Sequence, residues 1–214
     1  GLLLGGDAQW YRSAADVMRT PDAVTVDGTL TASGTLAGNL ATATRTIDLS
    51  AAAFMATTTA GATDTGKVEL SAQHDFYVMD FPDSGKTYAV ITIPKMPDNY
   101  DGGTLTARFH WFANVADNTK TAHWGIQLLG LAAGTTLTTA FGTAQTVEQD
   151  ATATANQFRT TNATSAITAA GTPAGGNGLV VLVYRDPTQA GDDLGATARL
   201  LGVSLEYTTN AFSD

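Results

Sequence analysis

The segment GGDAQWYRSAADVMRTPDAVTVDGTLTASGTLAGNL, residues 5–40, governs the interpretation of the whole chain. Few of its residues before Pro21 are apolar, and we predict only a short helical turn there, because proline cannot continue a helix. After Pro21, apolar and polar residues alternate across turns at Asp27-Gly28 and Ser33-Gly34. This alternation predicts short β-strands that are joined by tight turns.

These short strands need a partner surface, because an isolated hairpin is only marginally stable in water. Each buried aliphatic side chain contributes roughly 1.5–3 kcal/mol, but only where another surface covers it. We therefore predict that residues 1–46 form an intertwined β connector, or stalk, that becomes ordered when copies of the chain associate. The residues expected to pack in this connector are Trp10, Tyr11, Val24, Val26, Leu30, Leu36 and Leu40.

Composition limits the classes of partner. The chain has 214 residues, 11 Lys and Arg against 20 Asp and Glu, and a formal net charge of −9, so it lacks the basic surface that nucleic acid requires. No run approaches the roughly 18 apolar residues of a transmembrane helix, and we expect no membrane insertion. Without cysteine, the chain has neither disulfides nor thiolate metal ligands. The sequence begins at Gly1, and we expect the natural protein to extend further in the N-terminal direction.

From Ile47 onward, short extended runs follow one another between Gly, Pro and Asp turns, with almost no helical periodicity. We predict an all-β, jelly-roll-like β-sandwich over residues 47–214. Residues 133–177 are rich in Ala, Thr and Gly and are expected to form mainly surface loops, and 51–56 is a short helical candidate. The predicted strands lie near 47–50, 67–71, 75–81, 87–93, 103–112, 121–131, 156–161, 165–169, 178–185 and 196–208.

Acidic loops are the first candidates for chemistry. The run 98–101 and the group Asp186, Asp192 and Asp193 carry oxygen ligands of the kind that calcium prefers. Neither has the spacing of a calcium loop, and Asp next to Gly is also what turns require. Gly85-Lys86-Thr87 lacks the first glycine of a phosphate loop, because that position is Asp80. We therefore predict no metal site and no cofactor.

The histidines favour structural roles. His74, His110 and His123 lie in different predicted strands, whereas a metal site needs several ligands that converge. A His-Trp step occurs at His110-Trp111 and again at His123-Trp124, which indicates that these two strands pair. No serine lies in a Gly-x-Ser-x-Gly elbow, and we predict that the protein is not an enzyme.

Aromatic residues offer a possible platform for sugars, although most are expected in the core. Tyr100 lies in the turn 98–102 and is the aromatic residue that we expect to be exposed. We therefore predict that Tyr100, Asp98 and Asp101 contact a ligand.

Several segments resemble those of a known protein family. Residues 5–22 and 24–30 resemble the connector of bacteriophage tail-fibre and other virion appendage proteins. Residues 96–105 (MPDNYDGGTL), 140–147 (AFGTAQTV) and 198–210 (ARLLGVSLEYTTN) are similar to a C-terminal domain of tailed-phage virion proteins. The resemblance covers about half of the chain.

This resemblance implies a homotrimeric, non-enzymatic structural protein of the virion. It would be a tail fibre or spike whose tip binds the host surface, through a glycan or a protein, and whose N-terminal end binds other virion proteins. Two alternatives remain open: a capsid-decorating head fibre, and a glycan depolymerase spike. The long β-helical repeats usual in depolymerase spikes are absent from the sequence. Glycosidase carboxylates are paired in space, so the sequence alone does not reveal them.

Overall fold

The structure is a computed structural model that describes residues 11–14, 17–19 and 43–210. The chain divides into two units, Gly1–Ala37 and Gly38–Asp214. In the first unit, β1 (Tyr11–Ala14) pairs antiparallel with β2 (Val17–Arg19). The helical turn predicted in this segment is therefore wrong for these residues, because cross-strand pairing satisfies their backbone and weak helix propensity does not compete with it. The other predicted connector residues, Trp10, Val24, Val26, Leu30, Leu36 and Leu40, lie outside the described residues.

In the described part of the second unit, the regular secondary structure consists of strands and one short 3-10 turn. The turn, Ala51–Ala53, follows the first strand and is capped by the Ser50 side chain, which accepts a hydrogen bond from the Ala52 N–H. The strands are β3 (Thr44–Ser50), β4 (Met55–Ala56), β5 (Thr63–Ser71), β6 (His74–Phe81), β7 (Thr87–Ile93), β8 (Thr106–Ala113), β9 (Thr121–Leu131), β10 (Gln145–Asp150), β11 (Arg159–Thr160), β12 (Gly178–Arg185) and β13 (Ala198–Thr208).

These strands form two antiparallel sheets. The front sheet has the order β11-β8-β13-β6-β5, with β3 also paired to β13, and the back sheet has the order β10-β9-β12-β7-β4. Strand pairs are nested along the chain: β6 with β13, β7 with β12, β8 with β11, and β9 with β10. This is a long hairpin rolled into two sheets, which is a jelly roll, so the predicted fold class is confirmed.

The core lies between the two sheets and follows the alternation of their strands. On β8, Ala107, Phe109 and Trp111 are fully buried, whereas Thr106, Arg108 and His110 alternate with them on the outer face. Trp124 of β9 lies at the centre, with ring centroids 5.2 Å from Phe81, 5.2 Å from Phe109 and 5.8 Å from Trp111. Because each fully buried apolar side chain stabilises the fold by roughly 1.5–3 kcal/mol, this aromatic cluster is a major source of stability.

The predicted pairing between the two His-Trp strands is wrong. β8 belongs to the front sheet and β9 to the back sheet, so they do not share hydrogen bonds. β8 and β9 are consecutive strands that lie in different sheets, and each directs its own Trp inward. Trp111 and Trp124 meet across the core, and His110 and His123 alternate with them on the outer faces.

Other predicted elements differ from the structure in their bounds or extent. β3 begins at Thr44 and pairs with β13 to its end at Thr208, so residues 44–46, assigned to the connector, belong to the sandwich. In residues 133–177 the predicted strand 156–161 is limited to Arg159–Thr160. The predicted strand 165–169 is reduced to an isolated bridge between Ile167 and Leu105, and β10 was not predicted. Within the described residues, no helix is long and apolar enough to span a membrane.

Candidate functional site: a groove on the front sheet

An open groove lies on the outer face of the front sheet and consists of two adjoining depressions. The larger has a volume of about 440 Å³ and the smaller about 110 Å³. Both are lined by Phe158 and Leu201, which therefore mark the place where they meet. The larger is also lined by Asp48, Leu49, Ser50, His110, Gly202 and Val203, and the smaller by Leu70, Phe76, Phe112 and Asn156.

A β-bulge in β13 shapes the floor of the groove. Leu200 pairs with Trp111 and Gly202 pairs with His110, so Leu201 is an extra residue on β13. Such a bulge leaves the extra residue outside the ladder and bends the strand. At the next position, a Cβ on Gly202 would lie 2.6 Å from the Leu49 carbonyl oxygen. Only glycine therefore allows β3 and β13 to approach each other here.

Phe158 provides an exposed, oriented aromatic face. Its side chain is 59% exposed, and its ring lies nearly parallel to that of His110, at 9° with centroids 5.9 Å apart. The backbone that carries it is anchored, because β11 begins at the next residue and Thr160 pairs with His110. The His110 ring thus supports the position of the Phe158 ring from the sheet below.

A chain of hydrogen bonds joins the floor of the groove to its edge. The Ser204 hydroxyl donates to Asp48 Oδ1 at 2.6 Å and lies 2.7 Å from His110 Nε2, while His110 Nδ1 lies 3.0 Å from the Thr160 hydroxyl. Because a carboxylate only accepts, the consistent assignment is that Nε2–H donates to Ser204 and that Nδ1 accepts from Thr160. Burial lowers the pKa of His110, with Arg108 acting in the same direction and Asp48 opposing it, so the ring is neutral. Asp48 remains exposed, with one oxygen fixed.

This arrangement positions groups and does not activate a nucleophile. In a hydrolytic triad, histidine removes the proton of serine while a carboxylate holds the other ring nitrogen. Here the serine proton is directed to Asp48, and Thr160 occupies the other nitrogen of His110. The order of the three groups therefore differs from that of a triad.

The predicted exposure of Tyr100 is wrong. The residue is only 2% exposed, its hydroxyl donates to the Gly103 carbonyl, and its ring packs edge-on against Tyr207 at 5.9 Å. Burial raises its pKa to about 12. The reason is a bridge between Tyr100 and Thr209, which ties the turn to the end of β13 and turns the ring inward.

The two other predicted contacts, Asp98 and Asp101, are exposed but do not line the groove. Asp98 forms an ion pair with Lys95 at 2.8 Å, and Asp101 accepts a hydrogen bond from the Gly103 N–H at 2.8 Å. Their role in binding stays a prediction.

The other acidic group is committed to partners within the protein. Asp192 forms a bidentate ion pair with buried Arg185, at 2.7 and 2.8 Å. Asp193 accepts from the Thr121 N–H at 2.8 Å, and Asp186 accepts from the hydroxyl and N–H of Thr188. These oxygens therefore act in turns and ion pairs.

Sequence reasoning missed the residues of the groove. Asp48 and Ser204 are directly opposite each other on β3 and β13, which is a pairing between the two ends of the sandwich sequence. Phe158 lies in the weakly patterned region 133–177. Because it is exposed, it does not contribute to an apolar pattern that the sequence could reveal. The outward position of His110 is the one clue that the alternation of β8 supplied.

No protein-family model and no curated protein matches this chain. Similar solved structures include the xylan-binding module CBM15, with 13% identity, a TM-score of 0.43, and coverage of 77% of this chain and 97% of that one. TmCBM61 in complex with beta-1,4-galactotriose has 11% identity and a TM-score of 0.29, covering 76% and 86%. The structure of infectious bursal disease virus Gx strain has 9% identity and a TM-score of 0.35, and the match covers 94% of this chain and 45% of that one.

Proposed function

We propose that this protein binds carbohydrate and that the glycan occupies the groove on the front sheet. The observation that carries the proposal is the exposed ring of Phe158, held parallel to His110 beside the carboxylate of Asp48. A flat aromatic face packs against the apolar face of a sugar ring, while a carboxylate accepts hydrogen bonds from its hydroxyl groups. A concave site with an apolar lining and a few oriented polar groups is what ligand recognition requires.

Binding without catalysis is the activity that fits this groove. Glycoside hydrolysis ordinarily uses two carboxyl groups that flank the bond, roughly 5–9.5 Å apart. Among the described residues that line the groove, Asp48 alone carries a carboxylate. This observation favours a binding protein over a depolymerase.

We further propose that the chain is part of a phage virion appendage, a tail fibre or spike, whose sandwich forms the tip. The support for this placement is the sequence resemblance over residues 5–30 together with the need of the connector for partners. Trimerisation would present three grooves together, so that weak individual contacts with a host surface gain avidity.

The glycan proposal is tested by comparing Phe158→Ala with Leu137→Ala on immobilised host polysaccharide. Leu137 is a matched control, because it is 79% exposed and does not line the groove. We expect Phe158→Ala to weaken binding by at least about tenfold, equivalent to about 1.4 kcal/mol, and Leu137→Ala to leave it unchanged. Equal affinities for wild type and Phe158→Ala would refute the proposal.

The trimer proposal is tested by light scattering on the full chain, on a deletion of residues 1–40, and on Leu30→Asp. We expect a trimer for the full chain and a smaller species for both variants, because a charge in an apolar seam is strongly destabilising. A monomeric full chain, or a trimer that survives the deletion, would contradict the role of the connector.

A further inference from the structure

The groove has a local charge that comes from one residue. Of the described residues that line it, Asp48 is the one with a formal charge, and it is exposed. One of its oxygens accepts from Ser204 at 2.6 Å, and no ion pair is formed between Asp48 and the Lys, Arg or His residues of the described chain. No described cation therefore pairs with this carboxylate, and it lines the groove where a ligand would lie.

Two arginines near the groove, Arg108 and Arg199, are paired with carboxylates. Arg108 pairs with Glu206 at 3.2 Å and also donates to the Thr161 carbonyl. Arg199 pairs with Asp80 at 3.4 Å and lies 5.9 Å from the ring centroid of Phe112. His110 contributes no charge, because its ring is partly buried and neutral. The formal charge that lines the groove is therefore that of Asp48.

We propose that the groove selects glycans that carry no carboxylate, sulfate or phosphate on the sugar bound beside Phe158, and that Asp48 determines this specificity. The inference rests on the proposed function and deepens it. A hydroxyl group donates to Asp48 and forms a charge-assisted hydrogen bond, which is roughly twice as strong as a neutral one. An anionic substituent at the same place has no proton to donate and meets a like charge at short range.

The hydrogen bond from Ser204 makes this selection directional. Ser204 is 8% exposed and donates to Oδ1 of Asp48, so the second carboxylate oxygen is left to the ligand. Replacement of Asp48 by asparagine retains the acceptor for Ser204 and removes the charge. Asp48→Asn is therefore expected to change specificity without loss of the fold.

The experiment compares an acidic polysaccharide with its carboxyl-reduced form, in which each uronic acid has become a neutral hexose. Affinities are measured for the full chain, for Asp48→Asn, for the loop control Asp117→Asn, which does not line the groove, and for Phe158→Ala, at low and high salt. We expect wild type and Asp117→Asn to prefer the reduced form by about tenfold or more at low salt, and less at high salt. We expect Asp48→Asn to lose most of this preference.

The outcomes separate the two proposals. A preference for the acidic form, or a preference that Asp48→Asn leaves intact, overturns the inference; if Phe158→Ala still abolishes binding in that case, the groove remains the glycan site. An absence of binding to both forms and to host polysaccharide, or binding that is insensitive to Phe158→Ala, overturns the proposed function and the inference with it.

Discussion

The outer faces of the two sheets both carry aromatic residues, but the ring is exposed on the front sheet and covered on the back sheet. On the front sheet, Phe158 lies on His110 and is 59% exposed. On the back sheet, Tyr184 of β12 lies opposite Tyr88 of β7, with ring centroids 5.6 Å apart, but it is only 3% exposed. The ammonium of Lys86 lies 3.8 Å from the centroid of the Tyr184 ring and covers it.

This difference shows that an aromatic ring is a binding surface only when its neighbours leave a face open. On the back sheet a cation of the chain itself already occupies that face. The carboxylate beside it is also committed: Asp186 accepts from Thr188 and Gln189 and pairs with Lys86 at 3.4 Å. The number of aromatic residues in a sequence therefore does not predict a binding surface. The position of a single lysine side chain decides whether the face of a ring is open to a ligand.

The end of the back sheet is fixed by an ion pair inside the protein. Arg185 is fully buried, binds both carboxylate oxygens of Asp192, and donates to the Phe81 carbonyl at 3.1 Å. We expect Asp192→Ala to lower the free energy of unfolding by about 3–5 kcal/mol, because it leaves a buried guanidinium without its main counter-charge. Denaturant unfolding measures this loss. The exposed pair of Asp193 with Lys120 supplies the control, and we expect a much smaller loss for Asp193→Ala. Equal losses would show that Arg185 relies on its other acceptors.

Tyr184 also depends on a glycine of the neighbouring strand. A Cβ on Gly125 would lie 2.1 Å from the Tyr184 ring, so the ring rests directly on the backbone of β9. We expect Gly125→Ala to destabilise the protein by about 1–3 kcal/mol through overpacking, as measured by denaturant unfolding. The same substitution in a Tyr184→Ala background should cost much less. A cost that is unchanged in that background would place the strain elsewhere.

Removal of the covering cation is a milder change. We expect Lys86→Met to lower the free energy of unfolding by about 0.5–1 kcal/mol, through the loss of the cation–π contact and of the Asp186 pair. Glycan affinity should not change, because the groove lies on the other sheet. Reduced glycan binding by this variant would move the site to the back sheet and reverse the comparison.

The two faces should also respond to different ranges of pH. Burial keeps the pKa of His110 below its ordinary value of 6.5, so the unfolded chain binds the proton more readily than the folded protein. The contribution of His110 is therefore fully present above pH 6.5 and is lost as the pH falls below it. We expect a small decrease in the free energy of unfolding over this range for wild type, and none from this source in His110→Gln.

The carboxylate of the back face titrates lower. Burial alone would raise the pKa of Asp186, but hydrogen bonds from Thr188 and Gln189, with the charge of Lys86, bring it below its ordinary value of 3.8. Its contribution to stability is present above pH 3.8 and is lost only as the pH falls below that value. Denaturant unfolding at a series of pH values separates the two. If the free energy of unfolding of wild type and of His110→Gln changes in the same way between pH 6.5 and pH 3.8, the assignment of a buried, neutral His110 is contradicted.

The fold was more predictable than the site. Strands such as β8 and β12 carry a local pattern, alternating in one and continuously apolar in the other, and burial of one face dictates both. The edge strand β10 was missed because its polar residues bury little. Asp48, Ser204 and Phe158 were missed because the groove depends on β3 returning to pair with β13 and on β11 pairing with β8, which are contacts between distant parts of the chain. The predicted exposure of Tyr100 was wrong for a similar reason. An Asp-rich turn is locally expected to face solvent, but a bridge to the distant residue Thr209 holds Tyr100 against the sandwich.

The nested strand pairs suggest an order in which the chain acquires its structure, which we offer as a hypothesis. β9 and β10 are close in sequence, with Ile126 opposite Gln145. Phe81 of β6, in contrast, pairs with Ala198 of β13, which is much further along the chain. Each inner pair brings the next pair within reach, so the entropic cost of the longest loop is met in steps. Folding would then proceed from the middle of the sequence outward, and φ-values should be largest on β9 and β10 and smallest on β3. The groove, which needs β3, would therefore be the last part of the protein to form during folding.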